Sequence, residues 1–432
     1  MTTAALEVVT GFGLRNFSVS KVCRPASVDE LASLVPRLAA GGARVVFRGS
    51  GRSYGDATTN PEGPVVDVSA LRTIHGIDEA GVVRAEAGAT FDDLWRFAVP
   101  RGYWPPIVPG TSFPTLGGAI AMNIHGKNGW HAGTIGEHVE SLTVLDANGQ
   151  RLVLGKGDPA IRSVISCWGS ERPIVEVSLK LRKIASGFVD VKAVPTRTLS
   201  EMLQLLDAEK ERWEYLVGWL DCFPEGKSLG RGSVHLARYV NDPVGGLSVE
   251  EQLAQKGLGS KVPKGVLVAG LRAFTFDSGM RLVNLAKYLS HRLAGVVTYR
   301  QTLVAYSFLF DQMPGFRDIY RPGGFVQYQL FVPKEHAERV FTEAIRRQHA
   351  AGVFSYLGVL KRHRKDGFAS GYVPDGYSLA LDFPVTDRNA SALITLCRGY
   401  DALLRECGGT NYKAKDCVDS LPRRFVQAKD GA

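Results

Sequence analysis

The sequence has little of what marks a secreted, metal-binding or membrane-spanning protein. Its six cysteines are scattered and form no Cys-x-x-Cys pair, so we predict reduced thiols with neither a metal site nor a disulfide scaffold. The longest apolar stretch, residues 265–276, is short and is interrupted by Arg272, which argues against a transmembrane segment. No basic segment followed by an apolar run opens the chain, so we expect no secretory signal and a cytoplasmic protein.

The composition is that of an ordinary globular protein. A chain of 432 residues with 45% hydrophobic and 22% charged content is long enough for two domains. The net charge of +9 suits an anionic small substrate or peripheral contact with a membrane surface. The densest basic run, residues 361–365, lacks the interleaved aromatic residues that stack on bases. We therefore predict no nucleic-acid partner and interpret this run as a solvated loop, with a phosphate-facing loop as the alternative.

Local patterns predict a mixture of helices and strands. A capping box that begins at Ser27 opens a predicted helix through Leu38, which Pro36 should kink or end early. The dipeptide at 148–149, Asn-Gly, predicts a β-hairpin with a type I′ turn. After about Ala185, longer helical patterns alternate with strands, which indicates a second α+β domain.

A glycine-rich loop, residues 49–56, directly follows a predicted strand. Three glycines in seven residues leave backbone N–H groups unshielded, so a diphosphate can lie against them. The spacing differs from the Rossmann fingerprint, and no helical pattern follows. The loop therefore predicts anion binding, with a tight connecting turn as the alternative.

A second glycine-rich segment, residues 109–121, runs into a polar stretch at 123–128. Part of it forms a face almost without side chains, which allows a flat ligand or another backbone to approach closely. This face consists of Gly117, Gly118, Ala119 and Ala121. His125 and Lys127 lie at the following bend, where clustered polar groups usually face a ligand. A hydrogen-bonded core histidine is the alternative for His125.

Eight short motifs occur in one order along nearly the whole chain. Those of the amino-terminal half are Gly-Arg-Ser-Tyr-Gly-Asp at 51–56, Pro-Gly-Thr at 109–111, Leu-Gly-Gly-Ala-Ile-Ala at 116–121 and His-Gly-Lys-Asn at 125–128. Those that follow are Gly-Phe-Val-Gln-Tyr-Gln at 324–329, Val-Leu-Lys at 359–361, Leu-Asp-Phe-Pro at 381–384 and Tyr-Lys-Ala-Lys-Asp at 412–416. The set resembles the vanillyl-alcohol-oxidase superfamily. Within it the motifs are most similar to those of the decaprenylphosphoryl-β-D-ribose 2′-oxidases, the flavoenzyme halves of arabinose-forming epimerases.

The resemblance implies an α+β fold with two domains. A PCMH-type FAD-binding domain would cover residues 1–187 and be completed by 410–432, and an antiparallel-sheet substrate domain would cover 188–409. Superfamily members that bind flavin covalently often have a histidine where this chain has Arg52, so the implied FAD is non-covalent.

The resemblance also implies roles for individual residues. The implied cofactor-binding residues are Gly51, Arg52, Ser53, Tyr54, Gly55, Pro109, Gly110, Thr111, Gly117, Gly118, Ala121, His125, Gly126 and Asn128. The implied substrate-binding residues are Gln327, Gln329, Lys361 and Lys415. The candidate catalytic residues are His125, Lys415 and Tyr54.

These residue types suit the oxidation of an alcohol, which moves a hydride to flavin and a proton to a base. His125 can accept the proton near neutral pH. Lys415 can do so if desolvation lowers its pKa, or it can stabilise a developing alkoxide as a cation. Gln327 and Gln329 alternate along a predicted strand and can orient sugar hydroxyls from one face. A surface lysine and a solvated strand face are the alternatives.

The sequence departs from the family in three places. Residues 165–173 keep one glycine where relatives have a glycine-rich segment that contacts the flavin, and larger side chains there would displace the cofactor. Ala380 stands where the most similar relatives have a cysteine beside the pocket. The chain stops at Ala432, where relatives continue into helices that help to close the flavin site. These departures predict weaker FAD binding or a changed substrate.

The leading hypothesis is an FAD-dependent oxidoreductase that converts a secondary alcohol of a phosphorylated or lipid-linked pentose to a ketone. A separate NAD(P)H-dependent reductase would then complete an epimerisation. One alternative is an oxygen-using oxidase of a free sugar, alditol or aminosugar. The other is a flavin-less descendant that serves as a binding protein, for which the altered residues 165–173 are the reason.

Overall fold

The computed structural model describes residues 5–42, 44–166, 172–255, 264–313, 315–368 and 372–416. The strands of the amino-terminal part are β1 (Ala5–Thr10), β2 (Phe17–Cys23), β3 (Val46–Arg48), β4 (Val65–Asp67), β5 (Ile74–Ile77), β6 (Val82–Glu86), β7 (Tyr103–Trp104), β8 (Val139–Leu145), β9 (Arg151–Gly155), β10 (Ile174–Lys180) and β11 (Arg182–Lys183). Its helices are α1 (Val28–Ala40), α2 (Phe91–Ala98), α3 (Leu116–Ala121) and α4 (Pro159–Val164).

The remaining described residues form a larger sheet and its helices. The strands are β12 (Phe188–Thr196), β13 (Tyr215–Leu220), β14 (Gly232–Tyr239), β15 (Val297–Thr302), β16 (Phe325–Pro333), β17 (Leu357–His363), β18 (Gly376–Pro384) and β19 (Thr410–Asn411). The helices are α5 (Leu199–Glu209), α6 (Val249–Ala254), α7 (Lys264–Ala273), α8 (Asp277–Ala294), α9 (Leu303–Ser307), α10 (Ala337–Ala350) and α11 (Ala390–Cys407).

The amino-terminal strands form two main sheets. One has the order β1-β2-β4-β3, in which β4 pairs in parallel with both β2 and β3. The other is antiparallel with the order β5-β6-β10-β8-β9. Helix α2 is packed by its apolar face, with Phe91, Leu94 and Trp95 buried, and its first turn is held by a capping box between Thr90 and Asp93.

An eight-stranded antiparallel sheet with the order β15-β12-β14-β13-β17-β18-β16-β19 dominates the rest of the molecule. Strand β16 is buried along most of its length because both faces of the sheet are covered. Val326, Tyr328 and Leu330 point to the face that helices α5, α10 and α11 pack against. The alternate residues of β16, among them Gln327 and Gln329, therefore face the amino-terminal sheets. The predicted α+β fold with an antiparallel-sheet part is confirmed.

The structure corrects the interpretation of the basic run at 361–365. Its first three residues belong to β17, and Arg362 and His363 are each only 1% exposed. Arg362 pairs with Asp207 and Asp375 on one face of the sheet. The solvated-loop interpretation was therefore wrong, because pairing between β17 and its neighbours, which local charge does not reveal, buries the run.

Two local predictions also differ from the structure. Helix α1 continues through Pro36 to Ala40, because the buried Leu31, Leu34 and Val35 hold it against the core despite the missing N–H. The hairpin between β8 and β9 has a three-residue loop, in which Gly149 alone has a positive φ. Asn148 keeps a negative φ, so the turn is a type I turn followed by a left-handed glycine.

The cysteines and the helices add two observations. Cys23, Cys222, Cys397 and Cys407 are buried and form no disulfide, whereas Cys167 and Cys417 lie outside the described residues. Among the helices that the structure describes, none is long and apolar enough to cross a membrane. The predicted domain boundaries near 187 and 410 remain predictions. The eight-stranded sheet begins at Phe188, and its last strand, β19, pairs with β16.

Candidate active site

The two glycine-rich segments lie against each other. A Cβ atom added to Gly49 would come within 2.1 Å of Thr115 Oγ1, so the first loop touches the residue that caps α3. Gly51 has a φ of +64°, which places it in the left-handed region that favours glycine. The side chain of Arg48 holds this loop by donating to the backbone carbonyls of Thr58 and Thr10. Residues about sixty positions apart thus form one surface.

Arg52 is half-buried in this surface. Its guanidinium lies 4.7 Å from the ring centroid of Phe113 and 5.5 Å from that of Phe12. Its Nε is buried without a hydrogen-bond partner among the described residues. The neighbouring Ser53 offers its backbone carbonyl to the N–H of Phe12. Arg52 thus keeps donor capacity for a bound anion.

The glycines of the second segment have different structural roles. Gly117 lies where α3 crosses the segment before α2, and a Cβ there would come within 2.8 Å of Ala87 Cβ. Gly118 is more open, since an added Cβ would meet only the hydroxyl of Thr115 at 3.0 Å. Ala121 ends α3 and is half-buried. The face almost without side chains therefore packs closely against a neighbouring segment at Gly117 and stays open at Gly118.

The Pro109–Thr111 stretch contacts the other part of the molecule. Gly110 approaches the ring of Phe310, and the hydroxyl of Thr111 donates to Asp311. The N–H of Ser112 also donates to Asp311, at 2.8 Å. This stretch therefore joins the glycine-rich surface to the segment that follows α9.

His125 lies at the centre of the site and is 6% exposed. Its Nε2 lies 3.0 Å from Nε2 of Gln329, which donates to it when the amide is assigned in this orientation. The imidazole proton then lies on Nδ1, which has no hydrogen-bond partner among the described residues. Burial, followed by the nearby charges of Lys361 and His363, holds the pKa of His125 well below its usual range. The ring is therefore neutral at physiological pH.

Asn128 and Gly126 complete this bend. The amide nitrogen of Asn128 donates to the carbonyl of Pro106 at 2.8 Å, whereas its Oδ1 is buried without a partner in the described part of the chain. A Cβ at Gly126 would come within 2.4 Å of that oxygen. The bend thus presents an unused acceptor close to the unused donor of His125.

Gln327 joins the sheet to the segment after β19. Its side-chain amide donates to Asp382, the residue paired with it on the neighbouring strand β18. Its backbone N–H donates to Asp416 at 2.9 Å. Lys415 follows, with its Nζ 3.8 Å from the ring centroid of Tyr54. The N–H of Tyr54 donates to the carbonyl of Ala414 at 3.0 Å. The first glycine loop, the sheet and the carboxyl-terminal segment therefore meet here.

The ionisable groups of this junction have unusual proton affinities. Burial lowers the pKa of Lys415 to about 7, although Asp382 and Asp416 act in the opposite direction. Burial also raises the pKa of Asp382 to about 6 and that of Asp416 to about 7. Burial raises the pKa of Tyr54 well above its usual value, so its phenol stays protonated. These groups can exchange protons near neutral pH.

Two further lysines line the same region. Burial lowers the pKa of Lys127 to about 7 and that of Lys361 to about 8. Lys127 donates to the carbonyl of Tyr306 and lies 4.4 Å from the centroid of its ring. Lys361 stands on β17, two residues before His363 and on the same face. Both residues are partly accessible to solvent.

Four residues of the site were missed by reasoning from sequence. They are His363, Asp382, Tyr412 and Asp416. The imidazole of His363 lies 4.9 Å from that of His125 and bonds to Ser378 Oγ at 2.8 Å. The hydroxyl of Tyr412 donates to the carbonyl of Met122 at 3.1 Å and so holds the bend before His125. The alternation Lys361–His363 could have revealed His363 if the run had been interpreted as a strand.

The described residues cover only part of the three places at which the sequence departs from the family. Residues 167–171 of the altered segment and residues 417–432 lie outside the described residues. Ser166 is buried and has a φ of +66°, a conformation that glycine adopts more easily. Ala380 is buried on β18 between Gln329 and Val359. Its side chain belongs to the face of the sheet that carries the two glutamines.

The residues present fit a bound dinucleotide. Arg52 Nε, His125 Nδ1 and Asn128 Oδ1 are buried atoms without partners among the described residues, and all three lie in segments predicted to hold FAD. Unmet polar atoms are costly in a folded protein unless a ligand or water satisfies them. Arg52 also directly follows the left-handed Gly51, and a loop of this kind can hold an anionic group.

Comparison with known proteins agrees with this geometry. Residues 19–155 match the model of the FAD binding domain family. The chain is an FAD-dependent oxidoreductase. The predicted cofactor, FAD, is confirmed, and both the family match and a relative that spans most of the chain support the predicted likeness to the vanillyl-alcohol-oxidase superfamily. The match favours a flavin-containing protein over the flavin-less alternative, whose reason, the altered residues 165–173, lies outside the matched range.

Several characterised relatives extend the likeness. Decaprenylphosphoryl-β-D-ribose oxidase of Mycolicibacterium smegmatis is 29% identical over 420 residues, which cover 94% of this chain and 88% of that protein. L-gulono-1,4-lactone dehydrogenase of Mycobacterium tuberculosis is 28% identical over 44% of this chain and 43% of its own length. Alditol oxidase of a Streptomyces species is 25% identical over 42% of each chain. The first likeness extends over both parts of the molecule.

Proposed function

We propose that this oxidoreductase oxidises a secondary alcohol of a phosphorylated or lipid-linked pentose to a ketone. The observation that carries the proposal is the junction at which Lys415 meets Tyr54 and Gln327, beside the pair of His125 and Gln329. Amide groups at a buried face suit sugar hydroxyls, and the cations around them suit an anionic group. The name of the mycolicibacterial relative, an oxidase of a phosphoryl-linked ribose, supports the same substrate class.

Bound FAD supplies the acceptor for the hydride that leaves the alcohol carbon. Arg52, Gly51, Gly118 and Asn128 are the residues that would hold it, together with the others predicted for the two glycine-rich segments. The protein must bind the sugar, exclude water and accept the hydroxyl proton.

Lys415 is the proposed base. With a pKa of about 7 the side chain is partly a neutral amine at physiological pH, so it can take the hydroxyl proton as the carbon loses its hydride. Asp382 and Asp416 lie close enough to influence it and have raised pKa values themselves. The proton therefore has acceptors on both sides of the lysine.

His125 and Tyr54 act as donors in this proposal. The pKa of His125 lies well below its usual range, so its ring is a weak base, and its free Nδ1–H can donate to a bound oxygen. Tyr54 keeps its proton because burial raises its pKa. Gln327 and Gln329 would orient the sugar.

A feature of α8 favours a lipid-linked substrate. Leu282, Leu289 and Leu293 are 57%, 47% and 88% exposed, and they recur along one side of the helix. An exposed apolar stripe of this kind suits contact with a lipid chain or the surface of a membrane. A keto product would need a separate NAD(P)H-dependent reductase to become the epimeric sugar.

Anaerobic titration of the FAD-loaded enzyme tests the proposal. Phosphorylated or lipid-linked pentoses should bleach the oxidised-flavin absorbance, and the product should be a ketone by mass spectrometry. Reduction by free sugars or alditols alone, with peroxide formed in air, would instead select the free-sugar oxidase. Failure of every sugar to reduce the flavin would overturn both assignments.

A further inference from the structure

The face of the large sheet that carries Lys361 continues into a second cluster of basic side chains, formed by His235, Lys287 and His291. Val217 on β13 lies opposite both Lys361 on β17 and His235 on β14. These three residues therefore form a row on one face, and the ends of that row are roughly 10 Å apart by the usual spacing of paired strands. Leu360 and Gly218 point the other way, towards the helix layer.

Helix α8 covers this end of the face. Lys287 and His291 are one helical turn apart, and both contact Trp219, which is buried beside Val217 on β13. Lys287 Nζ lies 4.1 Å from the centroid of Trp219, and the ring of His291 lies 6.0 Å from it. The rings of His291 and His235 are 5.8 Å apart. The helix thus directs two basic side chains at a third on the sheet.

The cluster has no acidic partner among the described residues. The electrostatic influences on His235 come from Lys287, His291 and Lys127, and no carboxylate contributes to any of the four. Arg231, which stands near the same helix, does pair with Asp221, at 3.0 Å. A cation beside the same helix thus has a counter-charge that the cluster lacks.

Bringing several charged basic groups together without an anion is unfavourable. Burial lowers the pKa of His235 to about 3, so this ring is neutral at physiological pH. Its nitrogens have only long contacts, 3.4 Å each, to Ser233 Oγ and Tyr299 OH. Lys287 remains accessible to solvent. These features suit a ligand that brings its own negative charge.

We propose that Lys287, His291 and His235 form a phosphate-binding subsite, which holds the phosphate of the substrate while its sugar lies between Lys361 and Lys415. Lys127 interacts electrostatically with Lys361 and with His235, so it lies near both ends of the row. The subsite rests on the proposed function for the identity of the sugar, but anion binding can be measured without turnover. The ligand chemistry is a phosphate ester, carried either by a soluble sugar phosphate or by a polyprenyl-phosphoryl pentose.

Binding to the FAD-loaded enzyme should be measured by calorimetry with D-ribose, D-ribose 1-phosphate, D-ribose 5-phosphate and inorganic pyrophosphate. A phosphorylated ligand should bind at least tenfold more tightly than D-ribose. The double variant K287Q/H291Q should lose that preference and leave the affinity for D-ribose unchanged. R292Q removes a charge from an exposed position of the same helix and should bind like the wild-type protein. Flavin absorbance and melting temperature show that each variant is folded.

The outcomes separate the subsite from the proposed reaction. Equal phosphate affinity in K287Q/H291Q and the wild-type enzyme would overturn the subsite, even if sugars reduce the flavin. Phosphate binding that depends on Lys287 and His291, without flavin reduction by any sugar, would keep the subsite and remove the reaction.

Flavin reduction also separates the two sources of phosphate. In the lipid-linked case a polyprenyl-phosphoryl pentose in detergent micelles should reduce the flavin with a higher kcat/KM than the soluble sugar phosphates. In the soluble case that order should reverse. In either case the substrate with the higher kcat/KM should show a KM at least tenfold higher in K287Q/H291Q than in the wild-type enzyme, with kcat little changed. A KM that does not depend on Lys287 and His291 for either donor would overturn the subsite.

Discussion

At the scale of single residues, Lys415 shows how the surroundings of a side chain change its pKa. An exposed lysine is protonated at pH 7 and cannot serve as a base. Here the ring of Tyr54 and the surrounding protein desolvate the amine and lower its pKa to about 7. The neighbouring Asp382 is too weak a counter-charge to reverse this effect.

We expect the rate of flavin reduction to rise with pH through about 7, because the neutral amine of Lys415 is the active form. Lys415→Met should lower this rate by roughly 10²–10⁴-fold. Lys415→Arg keeps the positive charge but cannot release a proton, so it should be as slow as the methionine variant. Stopped-flow absorbance under anaerobic conditions gives the rate, and Lys183→Met, at an exposed strand position, is the control.

Substantial activity in Lys415→Arg would instead assign the lysine a purely cationic role. A pH profile that stays flat between about 6 and 8 in the wild-type enzyme would contradict the assignment of the base.

Not every residue of the site could be predicted from its local sequence. His125, Lys415 and the two glutamines belong to recognisable motifs and were predicted as candidates. His363 and Asp382 were not, because their roles come from partners far along the chain. Asp382 faces Gln327 only through the register of β16 and β18, and His363 meets His125 only through the tertiary packing.

At the scale of elements, the two glycine-rich segments act as one unit. The contact of Gly49 with Thr115 couples the first loop to the cap of α3. The sequence left two interpretations of the second segment, close approach by another backbone and close approach by a flat ligand. Each applies to a different glycine, since Gly117 packs on Ala87 and Gly118 is open.

Gly49→Ala should weaken FAD binding by tenfold or more. The added methyl group would overlap the Thr115 side chain, and overpacking of this kind costs about 1–3 kcal/mol. Titration of the apoprotein with FAD, followed by quenching of flavin fluorescence, gives the dissociation constant. Gly157→Ala is the matched control, since an added Cβ there meets nothing within 4 Å.

An unchanged dissociation constant in Gly49→Ala would show that the two segments do not need this contact to bind the cofactor. A loss of far-ultraviolet circular dichroism would instead place the effect on the fold, so the spectrum of each variant is recorded first.

At the scale of the whole molecule, the cofactor should stabilise the fold. The segments predicted to hold FAD are distant in the chain, and a ligand that binds only the native state adds about 2.7 kcal/mol at a hundredfold excess over its Kd. The melting temperature of the apoprotein should therefore rise by several degrees with FAD, and should keep rising with its concentration. Thermal scans by circular dichroism measure the shift.

Riboflavin and FMN are the controls for this prediction. Both lack the diphosphate that the loop at 49–56 is expected to hold, so they should raise the melting temperature less than FAD. Equal stabilisation by FMN and FAD would contradict the role of that loop.

The sequence by itself determined the fold class, the cofactor and the location of the two glycine-rich segments. The glycine-rich segments reflect a local requirement, unshielded backbone groups, whereas the fold class and the cofactor follow from the family resemblance that the ordered motifs carry. The tertiary structure alone decided which charges meet. Residues 361–365 look solvated in sequence, yet β17 buries His363 beside His125 and aligns Lys361 with His235. The physical reason is that the proton affinity of a side chain depends on desolvation and on neighbouring charges, and both are set by strand register and packing across the chain.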